Sequence, residues 1–420
     1  MSRMLDAPPS GGQWITYGPD GSITVPDNPI VGFIEGDGVG PDIWSAARPV
    51  FDKAVRKASG EKRRIYWWEI PAGERCFLRT GQHLPDESFE AARKAAVVIK
   101  GPLTTPVSGG YRSLNVTLRQ ELDLFACIRP VKYIPGTPSP VKKPEDVDIV
   151  IFRENTEDVY AGIEWPSGSD AAERVITFLK ESMGVAIDPA SGVGVKPMSP
   201  RATKRLVRRA MEYALQTGRR RVTLVHKGNI MKFTEGAFRD WGYELAREEF
   251  RNVVIFEDKP NSSSNAEIPE GKILLNDRIA DAMFQQVLLR PQEYEVLALP
   301  NLNGDYLSDA LAAQVGGLGM APGANVGDTC AIFEPTHGSA PRYAGLDKVN
   351  PCSMLLSGAM MMDHMGWHDE AALIVASVTS SIQAGIVTYD LARLMPGATE
   401  ISCSGFGRVV MERMDRLSQD

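Results

Sequence analysis

The chain has 420 residues, 43% of them hydrophobic and 24% charged, with a formal net charge of −7. That length exceeds the size at which one core keeps growing and predicts two lobes or domains, while the negative balance excludes a general attraction to nucleic acid, so any anion site must be a local cluster of arginines. The five cysteines show no Cys-x-x-Cys spacing, the five histidines form no His-Glu-x-x-His motif, and no stretch resembles a signal peptide or a bilayer span. These absences predict a reducing, cytoplasmic setting, no membrane partner, and oxygen ligands for any metal.

In chain order, Ile30–Ile34 reads as a strand that runs into the Gly-rich loop 35–42 and then an amphipathic helix with Ile43, Ala46, Ala47, Val50 and Phe51 on one side. The glycines invite a dinucleotide reading. However, the third glycine of Gly-x-Gly-x-x-Gly falls on Pro41, no acidic residue follows a second strand at the expected place, and the segment 317–322 fails in the same way. A standard Rossmann site is therefore not expected, and the turn is left as the wall of a cleft. A strand at 64–70, a helix at 85–95 and a strand at 96–100 continue an α/β alternation. The hydroxyl-rich loop 101–106, with Thr104, follows.

Arg112, Ser113, Asn115 and Arg119 come next, and on a helix beginning at Ser113 the last two share a face. Arg129, closing a strand at 124–128, and Arg153, at the end of a strand at 148–152, add guanidiniums at strand ends, where α/β sheets keep ligands. One arginine is most often a surface ion pair. Four near loop ends, beside Ser113 and Asn115, point to a polycarboxylate or phosphate pocket.

Residues 135–140 are turn-rich. From 160 to 200 the chain becomes rich in Gly, Ser and Val, with a helix only around 171–183, which predicts a protruding β element used for association. A helix at 201–217 has a basic side that reads as a solvated face. The strand at 221–225 delivers His226-Lys227-Gly228-Asn229 at its carboxyl end. A lysine so placed can have its pKa lowered, as a general base requires, although a lone one more often snorkels. Residues 258–265 form a short polar, low-complexity loop. A helix at 274–289 would carry Asp277 and Asp281 four apart, with Asp281 near its apolar side as a candidate third metal ligand.

A strand at 294–299 precedes Asn301-Leu-Asn-Gly-Asp305-Tyr-Leu-Ser-Asp309. Asp305 and Asp309 stack on one helical face and repel unless a cation sits between them, which suits Mg²⁺ or Mn²⁺; a solvated helix start is the equal alternative. A strand at 331–333 then feeds Glu334-Pro-Thr-His337-Gly338-Ser-Ala-Pro-Arg342-Tyr343, a loop suited to an adenosine phosphate. The Met-rich helical remainder from 351 on reads as core.

The motifs Arg112-Ser113-Leu-Asn115-Val-Thr-Leu-Arg119, Phe152-Arg-Glu-Asn-Thr-Glu-Asp-Val-Tyr160-Ala-Gly, His226-Lys227-Gly-Asn229-Ile-Met-Lys-Phe-Thr, Asn301 to Asp309 and Thr336-His337-Gly span nearly the whole chain. Together they resemble the β-decarboxylating (isocitrate/isopropylmalate) dehydrogenase family, and within it the bacterial, NADP-dependent, isocitrate-oxidising branch. The resemblance implies a two-lobed α/β fold, not a standard Rossmann fold, with a protruding dimer clasp. Residues 1–124 and 318–420 would form the large, cofactor-side domain, 125–157 and 200–317 the small domain with metal, substrate and dimer interface, and 158–199 the clasp.

By the same resemblance the protein is a homodimer with shared active sites. Ser113, Asn115, Arg119, Arg129 and Arg153 grip isocitrate, and Tyr160 with the partner subunit's Lys227 carries the proton transfers. Asp305 and Asp309 with the partner subunit's Asp281 hold Mg²⁺ or Mn²⁺. Thr104 and Asn229 approach the nicotinamide of NADP, while His337, Gly338, Arg342, Tyr343, Asn350, Tyr389 and Arg393 surround its adenine and 2′-phosphate. Ser113 is a position phosphorylated in the family, which implies a regulatory kinase and phosphatase as further partners. The chain departs from the family pattern at Arg342, often lysine, and Ser339, often threonine; the positive charge survives.

The implied activity is conversion of isocitrate to 2-oxoglutarate and CO₂, a step of the tricarboxylic acid cycle at its branch to the glyoxylate bypass. Isopropylmalate, homoisocitrate and tartrate are the alternative substrates, and the polar Ser113/Asn115 pair argues against an isopropyl group. Outside enzymes, the alternative is a binding or sensor protein for citrate-like anions. That reading leaves Lys227, Tyr160 and the three aspartates without purpose.

Overall fold

The computed structural model describes residues 5–105, 113–257 and 268–417, and among these an eleven-stranded sheet organises everything else. Its strands are β1 (Ile30–Ile34), β2 (Tyr66–Glu69), β3 (Val97–Lys100), β4 (Ala126–Lys132), β5 (Asp148–Glu154), β6 (Arg221–His226), β7 (Val254–Phe256), β8 (Ile273–Ile279), β9 (Val296–Leu299), β10 (Pro322–Val326) and β11 (Ala331–Pro335). They lie in the order β7-β8-β6-β9-β5-β4-β10-β11-β3-β1-β2. The run β7 to β5 is parallel, as is the run β11 to β2, and β4 and β10 join them antiparallel. Strands such as β3 and β9 are buried along their whole length, as parallel strands covered on both faces must be.

Four apolar clusters cover this sheet, two on each face. On one face, a cluster built from segments within 15–99 and 320–414 lies beside one built from segments within 125–298. On the other face, a cluster drawn from 30–124 and 330–332 is separated from one drawn from 131–315. The register shows what fills that separation. Cys127 is paired with both Arg153 and Asn325, and Asn325 with Ile332, so all four point the same way. The two-residue alternation of a strand then adds Arg129, Glu334 and Lys100 to the same face. A polar strip thus crosses the middle of the sheet between two apolar walls.

The helix Leu114–Glu121 and the helix Asn301–Gln314 approach this strip. Gly304 is the point of closest approach of the second helix. A Cβ there would sit 2.6 Å from Arg153 Cγ, so a larger residue would lift the helix off the sheet. The loop after β1 is held equally tightly. Gly38 has φ of +58°, and a Cβ on it would lie 2.0 Å from Ser339 O, so this loop is locked against the His337 loop.

Several local expectations are corrected. The segment 274–289 is not one helix: β8 pairs in parallel with β6, the helix Ala280–Leu289 starts afterwards, and Asp277 and Asp281 do not share a helical face. The buried, branched run Ile273-Leu274-Leu275 decides for strand once a neighbour is available to pair with it. Arg129 does not close a strand but lies in the middle of β4.

The 160–200 segment is less β-like than expected. Only Glu164–Trp165 and Val193–Gly194 pair, antiparallel, beside the helix Asp170–Met183, whose N-terminus is capped by Ser169 Oγ on Ala172 N–H at 3.2 Å. The basic side of the helix Pro200–Thr217 is not simply solvated, because Lys204 meets Glu244 and Glu248 at 3.2 and 3.1 Å and Arg208 is bidentate to Glu249. The helix Gly73–Thr80 was not expected; the Asp37 carboxylate, from another loop, accepts Glu74 N–H at 2.8 Å and caps it remotely. Arg112 and the 258–265 loop lie outside the described residues.

Candidate active site

Three guanidiniums converge on the polar strip. Arg153, penultimate in β5 and wholly buried, donates from Nε to Asn301 Oδ1 at 2.8 Å, contacts Asp305, and lies 4.8 Å over the Tyr160 ring. Arg129 donates to Ser308 Oγ at 2.6 Å and Asp309 Oδ1 at 3.1 Å. Arg119, from the helix Leu114–Glu121, donates to Glu334 Oε1 at 2.8 Å. Burial, and then repulsion by Arg129 and Arg119, pushes the Arg153 pKa down, so the three charges feel one another.

The carboxylates respond to these cations. Burial raises the pKa of Asp305, but Arg153 and Arg129 outweigh it and hold Asp305 below the ordinary carboxylate range. Asp309, on the same helical face, goes the other way: burial raises its pKa and Asp305 adds to the rise, against Arg129. Such a pair is relieved by a cation placed between its members. Tyr160 Oη donates to Asp305 Oδ2 at 2.9 Å, and burial, joined by the Asp305 charge, keeps the phenol pKa above its ordinary value.

Glu334 carries the far side of the strip, accepting from Arg119, from Lys100 at 2.5 Å and from Asn325 Nδ2 at 2.6 Å. Burial works against its charge, yet Lys100 and Arg119 hold its pKa far below the ordinary value. Two buried polar atoms remain unpartnered, Arg119 Nε and Asn115 Oδ1. Orphaned groups of this kind beside a cationic cluster mark a place for a polar ligand. Ser113 stands at the start of the same helix, half-buried, and its side chain makes no capping bond.

A second cavity, of about 560 Å³, is lined by His337, Gly338, Tyr343, Asn350, Tyr389 and Arg393, together with Val39 and the 316–319 turn. The Tyr343 and Tyr389 rings stack at 5.7 Å, and Asn350 Nδ2 donates to Asp390 Oδ2 at 3.0 Å. Burial holds the His337 pKa below the usual imidazole value. Thr104 joins this side, its Oγ1 donating to Ser339 Oγ at 2.8 Å and its N–H to Asp37 at 2.8 Å. Arg342 is exposed on the adjoining turn Pro341–Tyr343 and does not line the cavity.

Lys227, Asn229 and Asp281 are not brought to the strip. Lys227 Nζ pairs with Asp281 Oδ1, and neither bonds Tyr160, Asp305 or Asp309. Asn229 is exposed in the turn that follows Lys227. Around them lie bare apolar side chains, with Phe233 93% and Ile230 69% exposed, as is Leu289. Among the described residues no group of three His, Cys, Asp or Glu side chains is placed to hold a metal ion. Asp305 and Asp309 offer two carboxylates on one helical face, oxygen donors of the kind a hard divalent cation takes.

Residue-by-residue reading of the sequence missed Glu334, Lys100, Asn325, Asn301 and Ser308. Glu334 stood inside a quoted loop, but nothing in a single sequence shows that a carboxylate faces two cations from different segments.

A mixed-sheet α/β fold with a buried arginine cluster, an acid pair one helical turn apart and an adjoining aromatic-lined cavity defines an enzyme of the two-lobed dehydrogenase type. The chain belongs to the isocitrate/isopropylmalate dehydrogenase family, whose model matches residues 30–410. It is 55% identical over 410 residues to the NADP isocitrate dehydrogenase of Archaeoglobus fulgidus, covering 98% of each chain, and 56% identical over 411 residues to that of Pseudomonas aeruginosa, covering 97% of this chain and 98% of the other. The crystal structure of isocitrate dehydrogenase from Methylococcus capsulatus superposes with a TM-score of 0.76 at 36% identity, covering 92% of this chain and 99% of that one.

Proposed function

We propose that this chain catalyses the NADP-dependent oxidative decarboxylation of isocitrate to 2-oxoglutarate and CO₂. The convergence of Arg119, Arg129 and Arg153 on one buried strip carries this reading. Three guanidiniums match three carboxylates, and in a site shielded from water charge-assisted bonds to them are strong. Ser113 and Asn115 complete the grip. A binding or sensor protein would have no use for Tyr160 held against Asp305.

Asp305 and Asp309, with the partner subunit's Asp281, would hold Mg²⁺ or Mn²⁺. When bound, the cation supplies Lewis acidity toward the substrate's hydroxyl and adjacent carboxylate, and the nicotinamide supplies the hydride acceptor. Tyr160, a phenol whose Oη donates to Asp305 Oδ2 at 2.9 Å, is placed to return a proton to carbon. The partner subunit's Lys227 takes the alcohol proton, directly or through a relay. Thr104, and Asn229 by its motif, serve the nicotinamide; the cavity around His337, Gly338, Tyr343, Asn350, Tyr389 and Arg393 takes the adenosine end, with Arg342 at its rim.

A homodimer with shared sites is supported by the bare Ile230 and Phe233, which follow Lys227 closely in the chain. The clasp, 158–199, leaves Phe178 and Met183 exposed, as an associating element would. The division into 1–124 with 318–420 and 125–157 with 200–317 is supported by the core clusters, whose buried members each come from one set, with Ile128 and Ile134 packing across the boundary. No helix among the described residues is long and apolar enough to cross a membrane.

The test is a spectrophotometric assay crossing isocitrate and isopropylmalate with NADP⁺ and NAD⁺ in the presence of Mg²⁺. NADPH formation with isocitrate is expected; no turnover of isocitrate would return the reading to an anion-binding protein. Cofactor choice gives a sharper result. Only NADP carries the 2′-phosphate, so replacing both Arg342 and Arg393 by neutral residues should raise KM for NADP⁺ by about tenfold or more, as expected for losing two charge-assisted contacts, and leave that for NAD⁺ little changed. Equal losses for both cofactors would mean that these arginines only support the loop.

A further inference from the structure

Two wholly buried carboxylates outside the substrate strip, Asp158 and Glu235, share a single ammonium group, that of Lys196. Lys196 Nζ contacts Asp158 Oδ1 and lies 2.9 Å from Glu235 Oε1. Each carboxylate uses its other oxygen on a backbone N–H beside a residue of the mechanism. Asp158 Oδ2 accepts from Leu302 N–H at 2.9 Å, in the first turn of the helix that carries Asp305. Glu235 Oε2 accepts from Lys227 N–H at 2.5 Å and from Asn303 Nδ2 at 2.8 Å. Asp158 also precedes Tyr160 by two residues and has φ of +69°, a left-handed conformation that costs an L residue energy unless its surroundings impose it.

Burying two carboxylates is unfavourable unless each is paired. No other basic side chain touches either of them among the described residues. The pairing cation comes from the far end of the 158–199 segment, and it closes a loop whose other end leads directly to Tyr160. We propose that Lys196 is a positioning residue that binds the Tyr160 loop, the start of the Asn301–Gln314 helix and the Lys227 backbone into one unit. This rests on the function proposed above, in which Tyr160 and Asp305 serve the chain's own site while Lys227 serves the partner's. One half-buried ammonium then links the two catalytic sites of a dimer, and ordering of one site by substrate is felt by the lysine offered to the other.

The test uses the full-length dimer and three variants, Lys196→Met, Lys196→Arg and Lys196→Met/Glu235→Gln, followed by steady-state kinetics and by hydrogen exchange at the Lys227 and Leu302 amides. Lys196→Met should lower kcat by about thirtyfold, since misplacing reacting groups by a fraction of an ångström is costly, and leave KM for NADP⁺ within about twofold. Lys196→Arg, which keeps the charge, should retain most of the turnover. The double variant should recover several-fold over Lys196→Met. The Glu235→Gln change removes one of the two buried charges that Lys196→Met leaves unpaired.

Both amides should exchange faster in Lys196→Met. An unchanged kcat, no rescue in the double variant, or undiminished protection of both amides would each overturn the proposal. If the wild-type protein does not oxidise isocitrate, the functional reading fails by itself, and exchange at the two amides still decides the coupling. Where Lys196→Met does not assemble, Glu235→Gln carries the test: faster exchange at Lys227 with Leu302 following supports one unit, and a change confined to Lys227 overturns it.

Discussion

Asp305→Asn should abolish turnover and leave the fold intact. The substitution keeps the shape of the side chain and one acceptor oxygen for Arg153, with the amide N–H₂ facing the Tyr160 hydroxyl, so the helix Asn301–Gln314 has no steric reason to move. What disappears, on the function proposed above, is one of the two carboxylates of this chain that would hold the divalent cation, at a site with few protein oxygens. Lewis-acid stabilisation is worth several kcal/mol, so kcat should fall by roughly 10³-fold or more. Arg153 also loses its charged partner, which adds to the loss at the substrate's carboxylate. The check is threefold: thermal unfolding to confirm the fold, Mn²⁺ binding by calorimetry, and the isocitrate assay. A folded variant with near-normal, metal-dependent turnover would remove Asp305 from the metal site and leave it as a partner of Arg153 alone.

Ser113→Asp should nearly eliminate activity, whereas Ser113→Ala should stay partly active. Ser113 begins the helix that carries Asn115 and Arg119, whose Nε is unpartnered. A carboxylate there competes for the guanidinium meant for the substrate and repels a trianion. A phosphate, with about −1.5 to −2 charges near neutral pH, would do the same more strongly, so phosphorylation of Ser113 would switch the proposed activity off. Alanine loses one hydrogen bond, roughly 1 kcal/mol or about fivefold in affinity. Isocitrate binding measured directly separates the two variants. If the aspartate form binds isocitrate about as well as the alanine form, Ser113 does not face the substrate.

Much of this protein is legible from its residues in order. The strand Ile30–Ile34 and the amphipathic helix after it, the strand ending at His226 and the helix that stacks Asp305 over Asp309 follow from local periodicity and turn chemistry, because those signals act within one or two turns of chain. The absence of a third glycine at Pro41 ruled against a Rossmann cradle, and the structure gives a reason: the glycines of that loop serve close backbone contact with residues 101–102 and 339. The motifs identified the family without any structure, because they are long and their chemistry is specific.

Tertiary structure decided the rest. Whether 273–279 is strand or helix depends on β6 lying beside it, since a short buried apolar run satisfies either pattern until a neighbour offers hydrogen bonds. The middle of β4 joined the polar strip because pairing with β5 and β10 turns Arg129 and Cys127 to the same face as Arg153 and Asn325. Glu334 is a structural carboxylate instead of an anonymous acid only because Lys100, Arg119 and Asn325 arrive at it from three separate segments. The separation of Lys227 and Asp281 from Asp305 is of the same kind. Sequence spacing describes which side chains one helix or strand can present together, while the balance of burial and charge between distant segments exists only once the sheet has closed and brought them within a few ångströms.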